Sequence, residues 1–106
     1  MKDVDLNRAV AKAMGAVEIK ESGDEIYVEW EADDKFAKHF APKTNNGHAM
    51  LAFQWLREQY EYVGIRTMKD CVIIYNGEIN ADGEILGKSS NFNEAVCDAV
   101  VTEASR

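Results

Sequence analysis

Apolar residues recur along the chain with two different periods, and the order of those periods predicts three helices separated by strands. The first helix is predicted from Asp5 to Met14. Asp5 is expected to cap its N-terminus, and Gly15 to end it by taking a left-handed conformation. Its apolar face consists of Leu6, Ala9, Val10 and Ala13.

The segment from Glu25 to Glu31 alternates strictly between apolar and polar residues, which predicts a half-buried strand. A shorter strand at Ala16–Ile19 and a turn at 21–24 precede it, so the two strands are expected to form a hairpin. The inward residues are Ile26, Val28 and Trp30. The outward residues are Glu25, Tyr27, Glu29 and Glu31.

The segment 33–46 is the least regular part of the chain and is predicted to be a loop with one helical turn at Lys35–Phe40. A second helix is predicted from Gly47 to Tyr60, capped by Thr44 or Asn46. Its apolar stripe consists of Ala49, Ala52, Phe53, Leu56 and Tyr60.

Two more strands are predicted after the second helix, at Glu61–Thr67 and Cys71–Tyr75, with Val63 and Ile65 facing inward in the first of them. Asn76-Gly77 is typical of a two-residue hairpin turn, because both of its central positions need positive φ. The return strand is expected to contain Ile79, followed by a turn at 82–83 and a short edge strand at 84–87.

The last helix begins with Asn91 and Glu94, which have the spacing of a capping box. Its predicted buried face consists of Phe92, Ala95, Val96, Ala99 and Val100. Because each helix has one apolar stripe, each should cover a sheet face. The sequence therefore predicts a single α+β domain over residues 1–106, an α/β/α sandwich in which helices cover both faces of a small, mainly antiparallel sheet.

The net charge is −7, which argues against direct binding to nucleic acid, because that requires a basic surface. No apolar run approaches the roughly 20 residues that a membrane helix needs. The polar start of the chain does not resemble a signal peptide, so we expect a cytoplasmic protein. In that compartment Cys71 and Cys97 are expected to be buried free thiols.

The acidic strand face is the first candidate site, because alternate residues of a strand share one surface. It would bind a basic groove on another protein, and one form of such binding is mimicry of nucleic-acid phosphates. The alternative interpretation is a solvated edge strand that its charges protect from aggregation. The candidate partner-binding residues are Glu25, Glu29, Glu31, Asp33 and Asp34.

The loop before the second helix is the other candidate, because a helix N-terminus favours anions such as a phosphate. The alternative interpretation is ordinary helix capping among solvated neighbours. The candidate ligand-binding residues are His39, Lys43, Thr44, Asn45, Asn46 and His48. Trp30 and Trp55 are interpreted as core residues in preference to ligand platforms, and Trp55, just off the centre of its helix stripe, leaves partial exposure at an interface open as the alternative.

The sequence favours neither metal binding nor catalysis. A metal site would require Asp33, Asp34 and His39 to converge, and a nucleophile would require one of the cysteines to lie beside a histidine. The glycines at 83 and 87 do not have P-loop spacing. We therefore expect a protein that is not an enzyme and has no cofactor or metal.

Three short motifs resemble the phage ABA-sandwich domain and the related NinX-like phage proteins. They are Val10-Ala11 with Met14-Gly15, Pro42 with Thr44-Asn45-Asn46, and the run Asn93-Glu94-Ala95-Val96-Cys97-Asp98-Ala99. The chain departs from the pattern at Phe40, where the family has tryptophan, and in the acidic segment 18–34. The resemblance implies a fold and a phage origin, and it supplies no activity and no catalytic residue.

The leading functional prediction is a phage protein that binds a host protein through its acidic face and modulates or inhibits it. The expected target is a defence protein that binds nucleic acid, such as a CRISPR effector. One alternative is a binder of a nucleotide signal in the 39–48 loop. The other is a structural protein that self-associates, for example as a homodimer. No direct contact with nucleic acid or membrane is expected.

Overall fold

The computed structural model describes residues 3–31, 37–77 and 84–105. The order of helices and strands is αββ in the first range, βαββ in the second and βα in the third. The helices are α1 (Asp3–Ala13), α2 (Asn46–Gln59) and α3 (Phe92–Ala104). The strands are β1 (Glu18–Ser22), β2 (Glu25–Glu29), β3 (Lys38–His39), β4 (Val63–Thr67), β5 (Val72–Asn76) and β6 (Glu84–Ser89).

The fold is α+β and its strand pairs are antiparallel, as the sequence predicts. The strands form two separate sheets in place of the one expected: sheet A has the order β1-β2-β3, and sheet B has the order β4-β5-β6. Helix α1 contacts β2, whereas α3 contacts β5 and β6 and also packs against α1 and α2. The covering of both faces of a sheet by helices stays a prediction.

The β1–β2 hairpin confirms the predicted alternation, because Ile26 and Val28 are fully buried in the core. Strand β1 lies later than predicted, because the turn is tight at Gly23-Asp24 and pairs Ser22 directly with Glu25. Gly23 adopts the positive φ (62°) that such a turn requires.

The helical turn predicted at Lys35–Phe40 is wrong where the structure describes it, from residue 37 onward. Lys38 and His39 form β3 against β2, and the Phe40 N–H donates to the Ile26 carbonyl at 3.1 Å. The reason is tertiary: Phe40 is 2% exposed, and its burial holds the segment extended beside the hairpin.

Helix α1 begins at Asp3, so Asp5 lies in its first turn and is not the cap. Gly15 has φ 91° immediately after the helix, as predicted for a stop. The buried face differs from the predicted one, because it includes a polar residue that apolar periodicity cannot identify. It consists of Leu6, Asn7, Val10 and Ala11.

Helix α2 buries most of its predicted stripe: Ala49, Ala52, Phe53 and Leu56 are buried, and Tyr60 is half-buried. Its cap is Asn45, one residue away from either predicted cap. Helix α3 confirms the predicted cap, since the Asn91 side chain accepts a hydrogen bond from the Glu94 N–H at 2.9 Å. The predicted apolar face of α3 is buried, apart from the half-buried Phe92.

The two-residue hairpin predicted at Asn76-Gly77 is wrong, because Asn76 pairs with Glu84 and Tyr75 pairs with Ile85. Burial explains this register, since it places Leu86 in the core, 2% exposed. The third strand is therefore the segment predicted as a short edge strand. Ile79 and the predicted turn at 82–83 lie outside the described residues.

Strand β4 is shorter than predicted and occupies an edge of sheet B. Its register places Ile65 opposite the buried Ile74, on the inward face as predicted, but Ile65 stays 42% exposed. Both cysteines are free, with Cys97 buried and Cys71 only half-buried. Burial raises the pKa of the Cys97 thiol to about 12, and the carboxylates of Asp98 and Glu94 add to the effect. No helix in the described ranges has the length and apolarity needed to cross a membrane.

Candidate functional site

The acidic face belongs to the central strand of sheet A, so the edge-strand interpretation of its charges is wrong. Glu25, Tyr27 and Glu29 alternate with the buried Ile26 and Val28 and therefore share the outer face. Cross-strand pairing adds Glu18 beside Glu29, and it places Lys20 and His39 on either side of Tyr27. The sheet thus presents a largely acidic surface built from three strands.

The carboxylates of this hairpin differ in how far they are neutralised. Lys20 Nζ lies 3.6 Å from Glu29 Oε1, and the Glu29 side chain is only 16% exposed. Arg8 of α1 pairs with Glu21. These two carboxylates are therefore less available to a partner than the other acids of the hairpin.

Glu25 is the most available of the predicted partner-binding residues that lie on β2, with a side chain that is 58% exposed. The Tyr27 hydroxyl donates to Glu25 Oε2 at 3.1 Å, and this hydrogen bond raises the pKa of Tyr27. His39 Nε2 lies 3.9 Å from Glu25 Oε1. Glu31 is exposed beyond the end of β2, and Asp33 and Asp34 lie outside the described residues.

Lys43, the cation of the predicted anion site, is held by carboxylates. Its Nζ donates to Asp3 Oδ1 at 2.6 Å, and this bond raises the pKa of Lys43, with a further contribution from Glu94. Its backbone N–H donates to Oδ1 of the buried Asn7 at 3.1 Å. Lys43 therefore fastens the loop to the start of α1.

Asp98 is affected by the same arrangement. Partial burial raises its pKa, Glu94 adds to the rise, and the charge of Lys43 opposes it. The Lys43 ammonium thus lies in a negative surrounding supplied by α1 and α3, which leaves little positive potential for an incoming phosphate.

The amides of the loop also serve the fold. Oδ1 of Asn45 accepts from the His48 N–H at 3.0 Å and so caps α2, whereas Oδ1 of Asn46 accepts from the Asn93 amide at 2.8 Å. The Thr44 N–H donates to the Ala41 carbonyl at 3.2 Å, which closes the turn before the helix. The capping interpretation accounts for these contacts.

The two histidines of the chain pack together at this loop, with ring centroids 5.8 Å apart. His48 Nδ1 accepts a hydrogen bond from the Ala41 N–H at 2.9 Å, so this nitrogen must be unprotonated. Burial lowers the pKa of His48, and the neighbouring His39 lowers it further. The neutral ring thus holds the strand end that carries the buried Phe40.

The structure brings the two predicted sites together at one cleft of about 280 Å³. Glu25 of the acidic face and His39 and Thr44 of the loop line it, together with Asp3 and Asp24. Sequence reasoning missed Asp3, because only the fold places the first turn of α1 beside the hairpin turn. Asp24 lies within the acidic segment 18–34, so that charge cluster was the signal that could have indicated it.

The cleft suits a cation better than an anion, because three carboxylates line it and Lys43 pairs with one of them, Asp3. Within the described ranges, no group of three or more histidine, cysteine, aspartate or glutamate side chains has the arrangement of a metal site. Comparison with family models, curated proteins and solved structures gives no significant match.

Proposed function

We propose that this chain is a binding protein whose acidic sheet A occupies a basic surface of another protein. The observation that carries the proposal is the convergence of Asp24 and Glu25 on one cleft at the edge of the acidic face, where Asp3 is a third carboxylate that already pairs with Lys43. Carboxylates in such a cleft form strong, charge-assisted hydrogen bonds with a lysine or arginine side chain. The exposed carboxylates of Glu18 and Glu31 extend the contact beyond the cleft.

The mode of action that follows is inhibition by occupancy, without chemistry. A protein that holds nucleic acid presents lysines and arginines to phosphates, and an acidic sheet can occupy the same groups. The resemblance to phage proteins makes a bacterial defence effector the proposed target and the host cytoplasm the proposed location. Asp33 and Asp34 belong to the proposed contact by their place in the sequence.

No observation favours the alternative of a nucleotide site in the 39–48 loop. Lys43 is bound to Asp3, and Asn45 caps α2. A phosphate would have to displace these bonds and approach the carboxylates of the adjoining cleft. We therefore keep the nucleotide binder only as a sequence-based prediction.

The test is affinity capture from bacterial lysate, with the bound proteins quantified by mass spectrometry at low and high salt. The test variant is Glu25→Lys, and the matched control is Asp70→Lys, which makes the same charge change at an exposed turn of sheet B. We expect a partner with a basic nucleic-acid groove, captured equally by the wild type and the control and about tenfold less by Glu25→Lys.

Salt dependence provides the second criterion, because contacts between exposed charges weaken as ionic strength rises. Three results would contradict the proposal: equal capture by the two variants, capture that survives high salt, or the lack of any stoichiometric partner.

A further inference from the structure

Both tryptophans of the chain line one groove, although they are 25 positions apart in sequence. Trp30 follows β2, Trp55 and Leu51 belong to α2, and Met14 lies just after α1. The groove has a volume of about 320 Å³, and Gln54 and Glu58 complete its lining. Its floor and walls are therefore mainly apolar, and its polar groups come from α2.

The core holds both indole rings in place, so the groove is built into the fold. Trp30 packs edge-on against the buried Phe40, with ring centroids 5.1 Å apart and an interplanar angle of 87°. Both tryptophans pack against the core cluster. Leu51 is 51% exposed at the groove, which leaves apolar surface that a partner could cover.

The surroundings of the groove are acidic, which identifies the class of partner. A second concavity shares Gln54 and Glu58 with the groove and adds Glu61, with Arg57 as its one basic lining residue among those described. An occupant with positive charges beside an apolar side chain is complementary to this surface.

We infer that the groove binds an aliphatic or aromatic side chain from a basic peptide segment, with lysine or arginine neighbours of that side chain on Glu58 and Glu61. This inference rests on the proposed function, since it gives the same basic partner a second, apolar contact. Buried aromatic and aliphatic anchors supply much of the affinity of protein interfaces, whereas rim charges chiefly supply steering and specificity.

The first experiment uses tryptophan fluorescence, because both indoles of the chain report on the groove. The probes are two lysine-rich peptides without tryptophan, each acetylated at its N-terminus and with its lysines unmodified. They are identical except for a central phenylalanine or alanine. Burying a phenylalanine side chain is worth about 1.5–3 kcal/mol, which corresponds to about tenfold to a hundredfold in affinity. We expect the phenylalanine peptide to shift the emission and to bind at least about tenfold more tightly.

The matched variants are Leu51→Lys and Met50→Lys, neighbouring exposed residues of α2 of which only Leu51 lines the groove. Leu51→Lys should abolish the preference for phenylalanine, and Met50→Lys should keep it. Thermal melts check that both variants fold. Equal binding of the two peptides, no emission shift with either peptide, or the same result with both variants would overturn the inference.

The lysate assay separates failure of this inference from failure of the proposed function. A partner that is lost with Glu25→Lys and retained with Leu51→Lys would support the acidic face as the contact and refute the groove as a second contact with that partner. A preference for phenylalanine in the peptide assay, without salt-sensitive capture in lysate, would support the groove and refute the proposed function.

Discussion

The two sheets have the same strand number and the same antiparallel pairing, but they differ in what their residues do. Sheet B packs closely against α3: Gly87 lies under that helix, and a Cβ atom there would be 2.2 Å from the Ala95 carbonyl oxygen. The central strand of sheet A instead directs Glu25 and Glu29 outward.

Both sheets bury residues in the core, Ile26 and Val28 from sheet A and Ile74 and Leu86 from sheet B. The division therefore lies between the close contact of sheet B with α3 and the charged outer face of sheet A. Exposed ion pairs contribute little to folding, so the exposed acids of sheet A, such as Glu25, are not needed to hold the fold together. Close packing under α3 leaves sheet B little freedom to change. The predictions that follow test this division, beginning with the largest expected effect on the free energy of unfolding.

Gly87→Ala should be the most destabilising change, at about 3 kcal/mol or more in the free energy of unfolding. The added methyl would lie 2.2 Å from the Ala95 carbonyl oxygen and 2.7 Å from the Ala99 nitrogen, both backbone atoms of α3. Helix and strand would have to separate to admit it. Urea unfolding, followed by circular dichroism, measures the loss.

Gly64→Ala is the matched control on the same sheet, because its added Cβ would lie 2.1 Å from Cζ of Tyr75. Its added methyl meets the far end of the Tyr75 side chain, which lies 5.8 Å from the Arg66 guanidinium and can rotate away. We expect a clearly smaller loss of stability. A loss equal to that of Gly87→Ala would refute the claim that the backbone of α3 sets the constraint.

Asn45→Ala should cost about 1 kcal/mol, the usual value of an N-cap side chain. The His48 N–H would lose the acceptor that it has at 3.0 Å. Asn45→Asp keeps that acceptor and adds a negative charge where the helix dipole favours one, so it should retain or raise stability. Chemical denaturation compares the two, and a destabilised Asn45→Asp would contradict the capping role.

The sequence was sufficient to predict the helices and strands whose pattern is local. The alternation of Ile26 and Val28 predicted β2, and the spacing of Asn91 and Glu94 predicted the start of α3. It was insufficient to predict conformation where a residue is buried against parts of the chain that are distant in sequence. Phe40 makes its segment a strand, and Leu86 sets a register that the Asn76-Gly77 pair did not indicate.

The candidate site was predictable only in part, for a related reason. The alternation correctly placed Glu25 and Glu29 on one face. Residue type alone could not show that Lys43 would be bound by Asp3, 40 positions earlier in the chain. Nor could it show that Trp30 and Trp55 line a common groove, since both also pack against the core as predicted.

Mild acid should destabilise the fold through His48, which accepts the hydrogen bond from the Ala41 N–H beside sheet A. The expected decrease in the free energy of unfolding is smaller than that caused by loss of the Asn45 cap. The pKa of His48 in the folded chain lies below the ordinary 6.5, so between these two values the unfolded chain holds more protons. Stability is therefore retained above pH 6.5 and falls as the pH drops below it. Thermal melts of the wild type between neutral pH and pH 5 measure the decrease.

Two variants isolate the contribution of His48 from those of the carboxylates. His48→Gln should remove the part of the pH dependence that begins below 6.5. His39→Gln should leave a smaller decrease, because His39 is one of the two causes that lower the pKa of His48. An unchanged pH profile in His48→Gln would exclude His48 as its source.

Glu25→Lys should have the smallest effect on folding, within about 0.5 kcal/mol of the wild type. It removes an exposed hydrogen bond from Tyr27 and a 3.9 Å contact with His39, and water can replace both. Urea unfolding of this variant beside Asp70→Lys measures the effect under equal net charge. Equal stability makes a selective loss of partner capture a property of the surface. A loss above about 1 kcal/mol would give Glu25 a structural role, and sheet A would then resemble sheet B in what its residues contribute.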